Sequence, residues 1–291
     1  MFIYVHMTIP NFQVIEQKIF AHDEQISYDD AKKRADDKML SAFSIFSKIF
    51  SRPDVNEIVL SYSEKRYEPF WYVLCDTHLE YIRSRVIEFG VDKEVKHITI
   101  NGVRQDKPND LTTLSLDGIE YCVEDLRNEL FWNANTGEKK KEFKKYIGFR
   151  KHELKEIEEL IVGDTIVVPA KVKASIIIRN FLSEMLTPVK ADELLVERIQ
   201  IEKLYLLFRP IYAFEYHWQS KGKYATLEVD GLTGEFKPGG KAIKQKLKES
   251  LSEEVLFDLG ADAVDLFIPG GGLALKLSIK GQAYIKKRSH R

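Results

Sequence analysis

The chain has 291 residues, with 44 basic against 45 acidic side chains for a net charge of −1, and 44% of its residues are hydrophobic. That balance excludes a dedicated nucleic-acid binder, which carries a large basic excess, and the apolar content suffices for one large domain or two ordinary ones. Two cysteines, Cys75 and Cys122, make neither a disulfide framework nor a metal-type spacing, which reads as a reduced, cytoplasmic protein.

Phe2 to His6 reads as a short strand, and Met1 to His6 carries no basic stretch followed by a long apolar run, so it does not read as a signal peptide. No apolar run reaches the length that spans a bilayer. Ser27 with Asp30 three positions on starts a helix. Ala31, Ala35, Met39, Leu40, Phe43, Phe46 and Ile49 then extend one apolar stripe to about Phe50, where Arg52-Pro53 stops it. A β meander follows over 57–63, 70–75, 81–89 and 95–100, with a tight turn at Asn101-Gly102. Residues 119–132 open like a strand, but 124–130 suit a helix better. The lysine-rich stretch 139–155 reads as a solvated connector.

In the second half, 161–168 turns at Gly163-Asp164. Pro169 then opens a helix whose buried stripe runs Val172, Ile176, Ile177, Phe181, Leu182, Met185 and Leu186. Residues 192–199 read as a short helix or the run-in to a strand. Residues 204–218 are the clearest strand, because every even position from Leu204 to Trp218 is apolar or aromatic. Pro210 removes one ladder donor, which points to an edge strand or a bulge. Ser250 to Glu253 caps a last helix, the glycines after Pro269 break it, and Leu273, Leu275, Leu277 and Ile279 alternate with polar residues. The basic face of a membrane-surface helix is missing there, so docking within the chain ranks above self-association, and both rank above lipid contact.

One pattern occurs twice. Tyr67-Glu68-Pro69-Phe70 and Phe208-Arg209-Pro210-Ile211 each put an aromatic, a spacer and a proline ahead of alternating apolar residues, and Thr-Gly-Glu follows each at 136–138 and 233–235. The expected fold is therefore α+β: two related units, each an antiparallel sheet covered by a helix, over 1–155 and 156–240. A C-terminal helix, glycine turn and strand follow over 241–291.

The hairpin 212–236, with Asp230-Gly231-Leu232-Thr233-Gly234-Glu235-Phe236 at its turn, resembles that of PepSY-type domains, whose units place a helix before antiparallel strands. The resemblance covers about 192–237, and residues 26–31 resemble the helix start of such a unit. It implies a non-catalytic binding or regulatory module and transfers no catalytic residue.

The chemistry-bearing residues are sparse. Cys75 lies near His78, as a thiol nucleophile and its base would, but it continues the apolar face of Trp71 and Val73 and reads as core. None of the seven histidines has a metal-ligand spacing, and nothing asks for a metal or cofactor. The glycines 270–272 lack the context of a phosphate loop and read as a turn. The leading expectation is a non-enzymatic binding or scaffold protein that recognises a protein or peptide by sheet-edge pairing, with Arg209, Glu215 and His217 as candidate contacts. The alternative is a hydrolase-type enzyme with Cys75, His78, His97, Glu215 and His217 between the two units.

Overall fold

Two strands organise the molecule, and both run longer than the alternation alone suggests. In the computed structural model, which describes residues 11–43, 53–107, 112–185, 190–240, 242–243 and 253–258, β2 (Ile58–Gly90) and β8 (Glu193–Trp218) pair antiparallel from Ile58 opposite Trp218 to Ile82 opposite Glu193. The stretch 124–130, expected as a helix, lies inside β5 (Thr113–Asn133), which pairs with β2 along its whole length. A continuous ladder on β2 outweighs the few tenths of a kcal/mol of helix propensity per residue carried by Glu, Leu and Arg. Of the two readings for 192–199, the run-in to a strand holds, since β8 starts at Glu193.

The remaining strands complete an eight-stranded mixed sheet: β1 (Asn11–His22), β6 (Lys151–Leu154), β7 (Ile166–Val167), β9 (Lys223–Asp230) and β10 (Phe236–Pro238). A separate hairpin of β3 (His97–Ile100) and β4 (Val103–Asp106) turns at Asn101-Gly102, both in the left-handed region. The expected pair of sheet-plus-helix units is thus overturned. Strands from both halves share one sheet, and the molecule is mostly strand. The reason lies in the pairing of the opening strands. β1 runs parallel to β8, from Asn11 beside Arg198 to Ala21 beside Phe208, and β7 runs parallel to β2 at Arg66 and Tyr67.

Pro210 does not mark an edge. β8 is central, and its side away from β2 carries β1 up to Phe208 and β9 from Ile211 onward. The carbonyl of Pro210 accepts from Gly231 N at 2.9 Å on that side, so its missing N–H faces the gap where one neighbour replaces the other. Pro69 stands likewise where β2 exchanges β7 for β5, with its carbonyl accepting from Ala134 N at 3.2 Å. The two motifs face each other, with Tyr67 opposite Pro210, Glu68 opposite Arg209 and Pro69 opposite Phe208.

The loops after them are built alike. Asn133 Oδ1 accepts from the amides of Asn135 and Thr136 at 2.9 and 3.0 Å, as Asp230 Oδ1 does from Leu232 and Thr233 at 2.9 and 3.1 Å. Gly137 and Gly234 close the turns at φ 75° and 72°, a conformation that side-chain-bearing residues rarely adopt.

Helices are few. α1 (Tyr28–Asp37) starts at Ser27, which accepts from Asp30 N at 3.1 Å, and it buries Ala31 and Ala35. It stops well short of residue 50. α2 (Met39–Ala42) follows, and Phe46 and Ile49 lie outside the described residues. These two helices cover Tyr212, Phe214, Tyr216 and Trp218 of β8. α3 (Ala174–Met185) covers Trp71, Val73, Leu204, Leu206 and Phe208. The short α4 (Glu253–Phe257) packs there as well. Its Leu256 is fully buried and its Phe257 ring meets Trp71 edge-on at 5.2 Å. The rest of the expected C-terminal helix and strand lies outside the described residues. On the other face of the sheet, Phe143 and Tyr146 of a 3-10 turn cover Phe70, Tyr72, Tyr205 and Leu207.

Between these layers lies an ion-pair chain. Arg66 donates to Glu64 at 2.7 Å, Glu68 at 2.8 Å and Glu228 at 2.6 Å, with side-chain exposures of 3% for Arg66 and 2% for Glu64. Arg209 bridges Glu68 and Asp230, both at 2.8 Å, and donates to Tyr146 Oη at 2.7 Å. Burial works against each guanidinium charge, but the carboxylates around it win and raise both pKa values. Replacing Arg66 by Met is expected to lower stability by about 3–5 kcal/mol, because the buried Glu64 and the half-buried Glu228 lose the guanidinium between them. Equilibrium denaturation in urea measures this, and a loss below about 1 kcal/mol would show that the network does not hold the sheet.

Candidate functional site

Beyond the covered part of the sheet, β2 and β5 continue as a ribbon, and β8 follows them only to Glu193 opposite Ile82. From Thr113 to Leu130, β5 has no strand on its outer side among the described residues. Which of its groups face outward follows from its end. Lys140 N donates to Phe131 O at 2.9 Å and Asn133 N to Glu138 O at 2.8 Å, both away from β2. The β2–β5 register is unbroken, so every odd residue of β5 turns its N–H and C=O outward. The unpaired row therefore runs through Ser115, Asp117, Ile119, Tyr121, Val123, Asp125 and Arg127.

The same odd residues carry exposed apolar side chains. Ile119 is 65% exposed, Tyr121 76% and Val123 61%. Ile82 lies opposite Tyr121, and Val86 extends the patch toward the tip of the ribbon. Strands that only need protection from aggregation carry charges or proline along such an edge. Three alternating apolar side chains beside open backbone groups are what an added strand uses. The opposite face of β5 is acidic: Glu120 bonds Arg83 at 2.6 Å and Arg85 at 3.1 Å, and Glu124 accepts from Tyr81 Oη at 2.8 Å. Arg83 holds the Glu120 carboxyl below its usual range. Asp117, Asp125 and Glu129 place further acids on the face of Tyr121, and Arg127 is the one basic residue within β5.

The candidate residues from the sequence do not converge. Cys75 is fully buried under α3, and burial pushes its thiol up to about 12. His78 lies on the opposite face of β2 from Cys75, bonded to Asp125 at 2.7 Å and Glu80 at 2.9 Å. His97 is on the separate β3–β4 hairpin. Glu215 is buried and accepts from Ser61 Oγ at 3.2 Å, and His217 stacks on Tyr224 with centroids 4.3 Å apart. His78 pairs with Arg198 and His217 with Val59, roughly 60 Å apart along β8 at about 3.3 Å per residue. Among the described residues they stand on separate parts of the sheet and hairpin.

Arg209 is not an exposed contact. Its guanidinium lies over the rings of Phe143 and Tyr146, and its donors go to Glu68, Asp230 and Tyr146. A cleft of about 440 Å³ opens above this network, lined by Glu68, Tyr146, Arg209, Glu228 and Asp230, but these groups already bond one another. The lysine-rich stretch is spent in the same manner: Lys139, Lys140, Lys144 and Lys145 each pair with a glutamate. Among the described residues, no three His, Cys, Asp or Glu side chains converge as a metal site, and no helix is long and apolar enough to cross a membrane.

Ile119, Tyr121 and Val123 escaped the sequence reading because the segment was divided between strand and helix. The signal available was Ile119, Tyr121 and Val123 at period two, interrupted by acids that a helix also accepts. No family model, no curated protein and no solved structure matches the chain.

Two outcomes follow from this geometry. At pH 8, iodoacetamide is expected to leave Cys75 unmodified in the folded protein and to label it only on unfolding, because the side chain is closed to the reagent and burial keeps it a thiol; peptide mass mapping checks this, and rapid native labelling contradicts the burial. Asp125, then Glu80, raises the His78 pKa above its ordinary 6.5. The stabilising contacts of the imidazolium are then fully present below that value and lost as pH rises through the raised one. Titration of the His78 ring by NMR should give a midpoint above 6.5 that falls in Asp125→Asn.

Proposed function

We propose that this protein is a non-enzymatic binding module that captures an extended polypeptide segment along the outer edge of β5. One observation carries the reading: three residues whose backbone groups face outward, Ile119, Tyr121 and Val123, also carry the most exposed apolar side chains of β5. An incoming strand gains main-chain hydrogen bonds and an apolar surface together, and its alternation provides the selectivity. The acids of β5 favour a strand with basic residues between its apolar ones. The PepSY-type resemblance of 192–237, which implies a binding or regulatory module, belongs to this proposal. So do the two alike turns after the proline motifs, as signs of an internal repeat. Both cysteines are unpaired thiols, which supports a cytoplasmic setting.

A labelled short peptide alternating Leu and Lys, followed by fluorescence anisotropy, tests the proposal. It should bind, and its Leu–Glu counterpart should not. Val123→Pro removes one outward N–H while the ladder to β2 stays intact, so it should weaken binding at least about ten-fold with little change in melting temperature. Equal affinity for both peptides, or no effect of the proline, would count against strand addition.

A further inference from the structure

The chain carries a segment with the chemistry this edge selects. Residues 273–285 read Leu273-Ala274-Leu275-Lys276-Leu277-Ser278-Ile279-Lys280 and continue to Ile285, with apolar residues at alternate positions and lysines between them. From Leu273 to the end there are six basic residues, Lys276, Lys280, Lys286, Lys287, Arg288 and Arg291, and no acidic one. We propose that the outer edge of β5 receives residues 273–285 of the same chain, so that the protein's own C-terminal segment competes with a partner for the site. This rests on the strand-addition reading above.

Three observations carry it. The first is charge. Lys276 and Lys280 are four residues apart, as are Glu120 and Glu124 on the acidic face of β5. Paired residues of neighbouring strands project to the same face. With the lysines beside the two glutamates, in either strand direction, Leu277 and Ile279 lie on the face of Tyr121 and Val123. Glu120 already holds Arg83 and Arg85, so its lysine adds to an existing network, whereas the Glu124 carboxylate accepts from the Tyr81 hydroxyl and, among the described residues, has no cation bonded to it.

The second is reach. Phe257 is anchored on Trp71. Glu80, the β2 partner of Val123, is about 30 Å along β2 from Trp71, and the stretch from Phe257 to Leu273 spans up to about 50 Å when extended. The third is selectivity against the simplest rival occupant. A second β5 paired antiparallel at its apolar centre would set Glu120 against Glu124, or Asp117 against Asp125, and like charges opposite each other are unfavourable.

Hydrogen exchange of the full chain, read by mass spectrometry over 115–127, tests this against the Lys276→Glu/Lys280→Glu variant, whose substitutions lie away from the described core. Exchange of the outward half of these amides should be about ten-fold faster in the variant, at equal melting temperature, and the variant should bind the Leu–Lys peptide several-fold more tightly. Unchanged exchange overturns the proposal. So does protection that grows with protein concentration, which would assign the segment to a second copy. If the peptide binds and Val123→Pro abolishes binding while exchange is the same in both proteins, strand addition stands and the internal occupant is wrong. If exchange responds to the charge reversal but no peptide binds, the edge is closed by its own chain and the partner-binding reading is wrong.

Discussion

The antiparallel ladder between β2 and β8 is the constraint on which the rest of the structure depends. Each strand offers its second side to two successive neighbours, and the change of neighbour falls at a proline in both. A proline in the middle of a central strand ordinarily leaves a ladder acceptor unmatched. Here Pro69 and Pro210 stand where one neighbour ends and the next begins, so nothing is lost by the missing donor. The ion-pair chain through Glu68 and Arg209 crosses the ladder at the same level. Its internal bonds engage Glu68, Arg209, Glu228 and Asp230, which line the cleft above it.

Much of the fold was legible where one period persisted undisturbed. The alternation of 204–218, the cap at Ser27 and the Asn101-Gly102 turn correspond to local chemistry that no distant contact overrides, as does α3, although it starts at Ala174 and leaves Ile176 of the expected stripe exposed. The paired motifs were legible too, but not their meaning. Two copies of a motif suggest two bodies, whereas here Tyr67 faces Pro210 and Pro69 faces Phe208 within one sheet. Nothing within a few residues of either proline reveals that the strand opening each half pairs with the other half.

The open edge of β5 was illegible for a different reason. Glu124, Asp125, Arg127 and Glu129 are acceptable on a helix, and only the ladder to β2 makes them strand. The candidate contacts Arg209 and Glu215 had the opposite fault. They stood out as polar residues in an apolar strand, and they are polar because the second face of β8 is also covered, where a buried charge requires partners.

The parallel pairing of β1 with β8 also bears on how the chain reaches its fold. Asn11 lies beside Arg198, and Ala21 beside Phe208, so β1 has no place in the sheet until nearly two hundred further residues are available. The contacts that complete the sheet are therefore among the most distant in sequence, the class that slows folding most. During synthesis the locally closed elements, the β2–β5 ribbon and the β3–β4 hairpin, are complete long before β8 leaves the ribosome. The ribbon then presents both of its long edges, one of which β8 later covers. Early chain ends are thus a hazard to this architecture: a product that stops before β8 keeps the ribbon and loses the strand that silences it.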